Sequence, residues 1–158
     1  MNTSNFFDAI RKGDIETITK LIDTHIVLLE ITDNRGSTPL ILAAYYNQLK
    51  LVDFFLKKKV QVDKQDSSGN TALMGVCFKG FKEIVISLIK AGANVNLKNV
   101  MGGTCLIYAV TFGHLEIAKI LLENGADRTI KDARGSTALD HAKKQESNDL
   151  IALLIKKS

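Results

Sequence analysis

Gly36-Ser37-Thr38-Pro39-Leu40, Gly69-Asn70-Thr71-Ala72-Leu73, Gly102-Gly103-Thr104-Cys105-Leu106 and Gly135-Ser136-Thr137-Ala138-Leu139 are four versions of one pentapeptide, set 33 residues apart. Chance rarely keeps Gly, Thr and Leu in phase over four copies. A fixed period of this length marks stacked supersecondary units, each too small to bury its own hydrophobic face alone. The chain therefore reads as a solenoid, an architecture whose usual work is binding.

The unit from Gly102 to Arg134 is the best formed. Thr104 is placed to cap a helix, its hydroxyl accepting from an orphan amide of the first turn. One unit earlier than the Gly69 copy, Thr38 is followed by Pro39, whose missing N–H costs nothing at the first helical position. A short helix should follow, burying Leu106, Ala109 and Val110 and ending at Gly113, where positive φ is available. A second helix runs from His114 to Glu123. Leu115, Ile117, Ala118, Ile120, Leu121 and Leu122 give it the broad apolar face of a helix packed on both sides. Gly125 closes it. Ala126 to Arg134 reads as a polar extended connection that carries the turn Asp132-Ala133-Arg134-Gly135. Each unit is thus helix, turn, helix, then a projecting β-turn.

The composition narrows the function classes. The chain has 158 residues, 46% of them hydrophobic, enough for one ordinary core. Its net charge is +4, but 21 Lys and Arg are scattered among 17 acids. The longest basic run, Lys57-Lys58-Lys59, falls at an expected helix end, where cations complement the helix dipole. That distribution reads against nucleic acid or an anionic membrane as the partner. No stretch approaches the roughly 20 apolar residues that span a bilayer, and Met1 to Phe7 lacks the features of a signal peptide. Cys77 and Cys105 occupy apolar, small-residue positions outside any Cys-x-x-Cys pair, so two reduced core thiols in a cytoplasmic protein are expected.

On these residues the chain resembles the ankyrin-repeat family. The family's Gly-x-Thr-Pro-Leu-His opening is nearly met by Gly36 to Ile41, and its Gly-His-x-Glu-Ile stretch by Gly113 to Ile117. Its Leu-Leu-x-x-Gly-Ala-Asp stretch appears as Leu121 to Asp127, and Gly80 to Ile84 and Gly92 to Asn96 fill the same slots one repeat earlier. The resemblance covers nearly the whole chain. It implies an all-α fold, a solenoid of about five helix-turn-helix units with β-turn loops. Residues 1–158 read as a single domain with an N-terminal cap at 5–35, repeats at 36–68, 69–101 and 102–134, and a C-terminal cap at 135–158. The first unit carries an insertion near Thr24 to Ile31. Polar outer faces are expected at both caps, from Asp8, Arg11, Lys12, Glu16 and Lys20 at one end and Lys143, Lys144, Glu146, Asn148 and Asp149 at the other. With both caps in place the chain reads as a complete protein.

Three departures from the family pattern stand out. Ile41, Met74, Ile107 and Asp140 replace the histidine after Thr-Pro-Leu, which predicts a weaker loop network. Lys59 stands where the glycine after a second helix belongs. If its backbone stays left-handed the cost is about 1 kcal/mol; otherwise the loop takes another shape. With Val60-Gln61 in place of Ala-Asp, unit two is the expected site of local irregularity.

The chain offers little chemistry. His25, His114 and His141 lie in different units, and only His114 fits a family position, where its role is structural. No nucleophile elbow, phosphate loop, metal-ligand spacing or paired-carboxylate pattern occurs. The chain is read as a non-enzyme with no catalytic residue, metal or cofactor. Asn96 matches a position hydroxylated in some animal ankyrin repeats, and reads here as a loop residue bonding local backbone.

Binding remains. The resemblance implies that a partner meets the concave surface formed by the turn tips and first helices. Carried over position by position, this gives Arg35, Tyr45, Tyr46, Phe78, Lys79, Met101, Phe112, Arg134 and Lys144 as protein-binding residues. Aromatics and Met are enriched at interface centres, although the same rings could instead lean back between helices as packing. Tyr45, Phe78 and Phe112 should fall along one groove, with Arg35, Lys79, Arg134 and Lys144 as a basic rim suited to an acidic protein partner. The function expected is a protein–protein interaction module, a scaffold or adaptor acting as a monomer. The alternatives are an inhibitor or immunity-type protein blocking an enzyme, and a secreted bacterial effector that binds a host protein. The Ile-, Lys- and Asn-rich composition points to a bacterial source.

Overall fold

A computed structural model describes residues 2–156. Met1, at the start of the expected domain, and Lys157 and Ser158, at the end of its C-terminal cap, lie outside the described residues. Ten α-helices follow one another, with no strand among the described residues: α1 (Thr3–Lys12), α2 (Ile15–Thr24), α3 (Pro39–Tyr45), α4 (Leu49–Lys57), α5 (Ala72–Lys79), α6 (Lys82–Lys90), α7 (Cys105–Thr111), α8 (Leu115–Glu123), α9 (Ala138–Lys144) and α10 (Asn148–Ile155). A 3-10 turn, Ile26–Leu29, occupies the insertion after α2.

The repeated threonine starts the first helix of units two to five as its position predicts, while Asn2 caps α1. Thr38, Thr71 and Thr104 accept from the amides of Ile41, Met74 and Ile107 at 3.1, 3.2 and 3.2 Å. Thr137 does the same with Asp140, whose carboxylate bonds back to the Thr137 amide to complete a capping box. Pro39 sits in the first turn of α3. The two helices of each pair are joined through one left-handed residue, supplied by Asn47 and Glu146 as well as by glycines.

The first helices stack in the order α1, α3, α5, α7, α9, and the second helices α4, α6, α8 and α10 stack behind them. Two repeat positions carry the core between the second helices. Val52, Val85 and Ala118 are fully buried between successive second helices, and Phe55, Leu88 and Leu121 are fully buried beside them. Ile117, Ala118 and Leu121 form the buried face of α8, with Leu115, Ile120 and Leu122 packed against the cluster from its edge. Cys77 and Cys105 are free and buried in this core; burial pushes the Cys77 thiol up, and the neighbouring Cys105 sulfur adds to it.

The caps are polar where interior units are apolar. Asp140 and Lys143 are exposed at the positions that Ile41, Met74 and Ile107 and then Ala44, Cys77 and Val110 bury in earlier units. Polarity is incomplete, however: Ile155 at the end of α10, and Ile26 and Val27 in the 3-10 turn, remain exposed.

Lys59 keeps the left-handed backbone of the glycine it replaces, with φ of 58° against 93° at Gly92 and 88° at Gly125. The loop therefore holds the shape of its neighbours, and unit two is regular there at the cost of a strained lysine. The expected weakening of the loop network is also offset. Asp33, Asp66, Asn99 and Asp132 recur three residues ahead of the signature glycines, and each accepts two amides of its own turn at 2.9–3.0 Å. Adjacent turns are then joined by backbone bonds: Ser67 to Arg35, Val100 to Ser68 and Ala133 to Met101, all at 3.0 Å. Asn96 bonds the next unit instead of its own local backbone. Its amide reaches the next unit, donating to the Gly125 carbonyl and accepting from the Asp127 amide, as Asp63 accepts from Asn94 one unit earlier.

Candidate protein-binding surface

The turns and first helices enclose a concave groove of about 1050 Å³. Its floor is α3 and α5, and its outer wall is the pair of turns around Arg35 and Ser68. Phe7 and Arg11 of α1 close one end, and Tyr108 of α7 closes the other.

A single repeat position sets where the groove ends. Leu42, Gly75, Tyr108 and His141 succeed one another 33 residues apart on the first helices. Leu42 is buried in the floor. Gly75 contributes no side chain. Tyr108 fills the space instead: Asn99 Nδ2 donates to its hydroxyl at 2.6 Å and to Asn70 Oδ1 at 2.8 Å, tying helix and two turns together. His141 repeats that reach in the last unit, with Nε2 at 2.7 Å from Asp132 Oδ2. Desolvation pushes the Asp132 carboxyl up, but the Ser136 amide, the His141 ring and the Arg134 amide outweigh it and hold it below the usual carboxylate range.

Of the residues expected to bind, Arg35, Tyr45, Tyr46 and Phe78 line the groove. Their rings are open to solvent, with 43% of Tyr45, 43% of Tyr46 and 39% of Phe78 exposed, so they are not simply core. Tyr45 and Tyr46 meet edge to face at 5.5 Å. Phe112 and Met101 are more open still and lie beyond the groove lining, on the far side of Tyr108. Phe112 stacks edge to face on Phe78, their centroids 4.5 Å apart. Tyr45, Phe78 and Phe112 thus make a groove and an adjoining ridge rather than one continuous trough. Arg134 and Lys144 are exposed outside it, and Lys79 lays its ammonium over Tyr45, 4.9 Å from the ring centroid.

Sequence reasoning passed over Gly75, Met74 and Tyr108, which shape the cavity. The signal was present in the Leu-Gly-Tyr-His series, where one position of an otherwise regular helix changes from filled to empty to filled. His114 is structural, as expected. Its Nε2 lies 3.1 Å from the Phe78 carbonyl of the preceding unit, the same bridge that Gln48 Nε2 makes to the Arg11 carbonyl at 2.9 Å. Among the described residues no group of three His, Cys, Asp or Glu side chains is placed to hold a metal ion, and no helix is long and apolar enough to cross a membrane.

A family model described as ankyrin repeats (3 copies) matches residues 6–99 and again 77–158. Over 60 residues, 38% of the chain, the sequence is 30% identical to a Danio rerio protein described as "Ankyrin repeat and SAM domain-containing protein 6". The matched stretch is only 8% of that relative's length.

Proposed function

The chain belongs to the ankyrin-repeat family, and from that membership we propose that residues 1–158 act as one protein-binding unit whose concave groove holds a segment of a partner protein. The observation that carries this reading is the set of half-open rings, Tyr45, Tyr46 and Phe78, facing a groove of about 1050 Å³. Water is expelled from such rings only when a partner covers them, and aromatic side chains dominate the centres of protein interfaces. Phe112 and Met101 extend the apolar contact along the ridge. Arg35 in the groove wall, Lys79 over Tyr45 and, outside the groove, Arg134 and Lys144 supply basic charge, so the partner presents an acidic surface that speeds encounter. The protein works as a single copy in the cytoplasm, as a scaffold or adaptor, with no chemistry of its own.

The test is capture by the immobilised protein from native lysate of its source, read by mass spectrometry beside the double variant Tyr45→Ala/Phe112→Ala. The same acidic protein should be enriched by the wild type and lost from the variant, with the melting temperature nearly unchanged. Equal capture by a folded double variant would put the binding face elsewhere.

A further inference from the structure

Ten of the eleven glycines have a visible reason to be glycine, and Gly75 does not. Nine adopt positive φ, and a Cβ at Gly103 would press on the Tyr108 ring at 3.0 Å. Gly75 lies inside α5 with an ordinary helical backbone, and the nearest atom to a Cβ there would be Tyr45 Cδ2 at a comfortable 3.9 Å. Alanine would fit and would make the better helix. The missing side chain leaves open the stretch of groove that its counterpart Tyr108 fills one unit later.

Charge identifies what the opening suits. The groove's acids are already engaged: Asp66 accepts the Ser68 and Asn70 amides, and Asp33 accepts those of Arg35 and Ser37 and faces the Arg11 guanidinium. Among the described residues Arg35 and Lys79 enter no ion pair. Lys79 also stands over the Tyr45 ring, so that ring already has its cation. In the lining Arg11 and Arg35 offset Asp33 and Asp66, so Lys79 beside Tyr45 leaves one positive charge over, while the walls, Tyr45, Met74, Phe78 and Tyr108, are largely apolar.

We infer that Gly75 is the specificity-determining position of this surface: it opens a notch that receives one large apolar side chain, aromatic or leucine-like, from a partner segment carrying Asp or Glu on either side. This rests on the concave-face reading above and names the partner chemistry that reading leaves general. The anchor fills the space between Tyr45 and Tyr108 while its acidic neighbours reach Arg35 and Lys79.

A phage-displayed library of random dodecapeptides, selected on the folded protein, tests it. The enriched peptides should pair a Phe, Tyr, Trp or Leu with flanking Asp or Glu. By fluorescence polarisation, Gly75→Leu should weaken them about tenfold or more. Gly75→Ala should weaken them less while raising the melting temperature, which keeps the test readable if the leucine variant folds poorly. Peptides that lose affinity in Tyr45→Ala but bind both Gly75 variants as they bind wild type would overturn the notch and leave the groove. Enriched peptides rich in Lys or Arg, or no enrichment over an uncoated surface, would overturn it too. Peptides indifferent to Tyr45→Ala and Arg35→Glu alike would remove the concave-face reading itself.

Discussion

His114 lies directly against Gly80 of the preceding unit: a Cβ on Gly80 would come within 2.5 Å of the imidazole Cε1. Gly80 is also left-handed, at φ 84°, so it answers two demands at once, one from its own turn and one from its neighbour. Gly113 answers only the first, having nothing within 4 Å of its Cβ position.

Gly80→Ala should therefore cost more than Gly113→Ala. The left-handed backbone alone costs about 1 kcal/mol in either variant, and displacing His114 from the Phe78 carbonyl adds about another 1 kcal/mol at Gly80. Urea denaturation of the two variants, and of Gly80→Ala combined with His114→Ala, separates the terms. Equal losses at the two glycines would mean the ring moves aside freely.

Lys59→Gly should stabilise the protein. The lysine holds φ 58° where a glycine would rest without a Cβ penalty, so the substitution should gain about 1 kcal/mol, or roughly 2–4 °C in melting temperature for a domain of this size. Calorimetry decides it, and a lowered transition would show that the lysine side chain contributes more than its backbone loses.

Leu121→Ala should cost about 2–5 kcal/mol, because the side chain is fully buried between stacked second helices and its removal leaves a cavity. A loss under about 0.5 kcal/mol in chemical denaturation would be incompatible with that packing.

Asp132 carries a pH dependence whose sign follows from its lowered carboxyl. A carboxylate depressed in the folded state stabilises above its unfolded value of about 3.9, and that contribution is lost as pH falls through the folded value. Asp132→Asn should remove part of the drop in melting temperature below about pH 4. The turn itself should survive, since Asn99 makes the same two amide bonds in the unit before. An unchanged acid limb would mean that other carboxylates, among them Asp14, Asp127 and Asp140, carry the whole effect.

Much of the fold was legible because a repeat announces its own phase. The spacing of Thr38, Thr71, Thr104 and Thr137 placed four helix starts, and local capping chemistry depends only on residues a few positions away. The groove was harder to read. Tyr45 and Phe78 were expected on the concave face from the family resemblance, yet whether a ring stays open depends on the residue one unit away, as Phe112 against Phe78 shows. Tyr108 closes the groove by bonding to Asn99 and through it to Asn70, a contact among three positions that no single repeat contains. Lys59 was ambiguous for a different reason: a left-handed lysine costs little enough that either backbone shape could have been chosen.

The backbone bonds that join turn to turn, Arg35 with Ser67, Ser68 with Val100 and Met101 with Ala133, form one seam that starts at the groove's outer wall and continues past its end. Spreading the solenoid must lengthen one of them, and a bond that begins at 3.0 Å keeps useful geometry over only about 0.5 Å more. These bonds oppose a spreading of the turns. A guest in the proposed groove would then be accommodated at Tyr45, Tyr46 and Phe78, the half-open rings, sooner than by parting the turns.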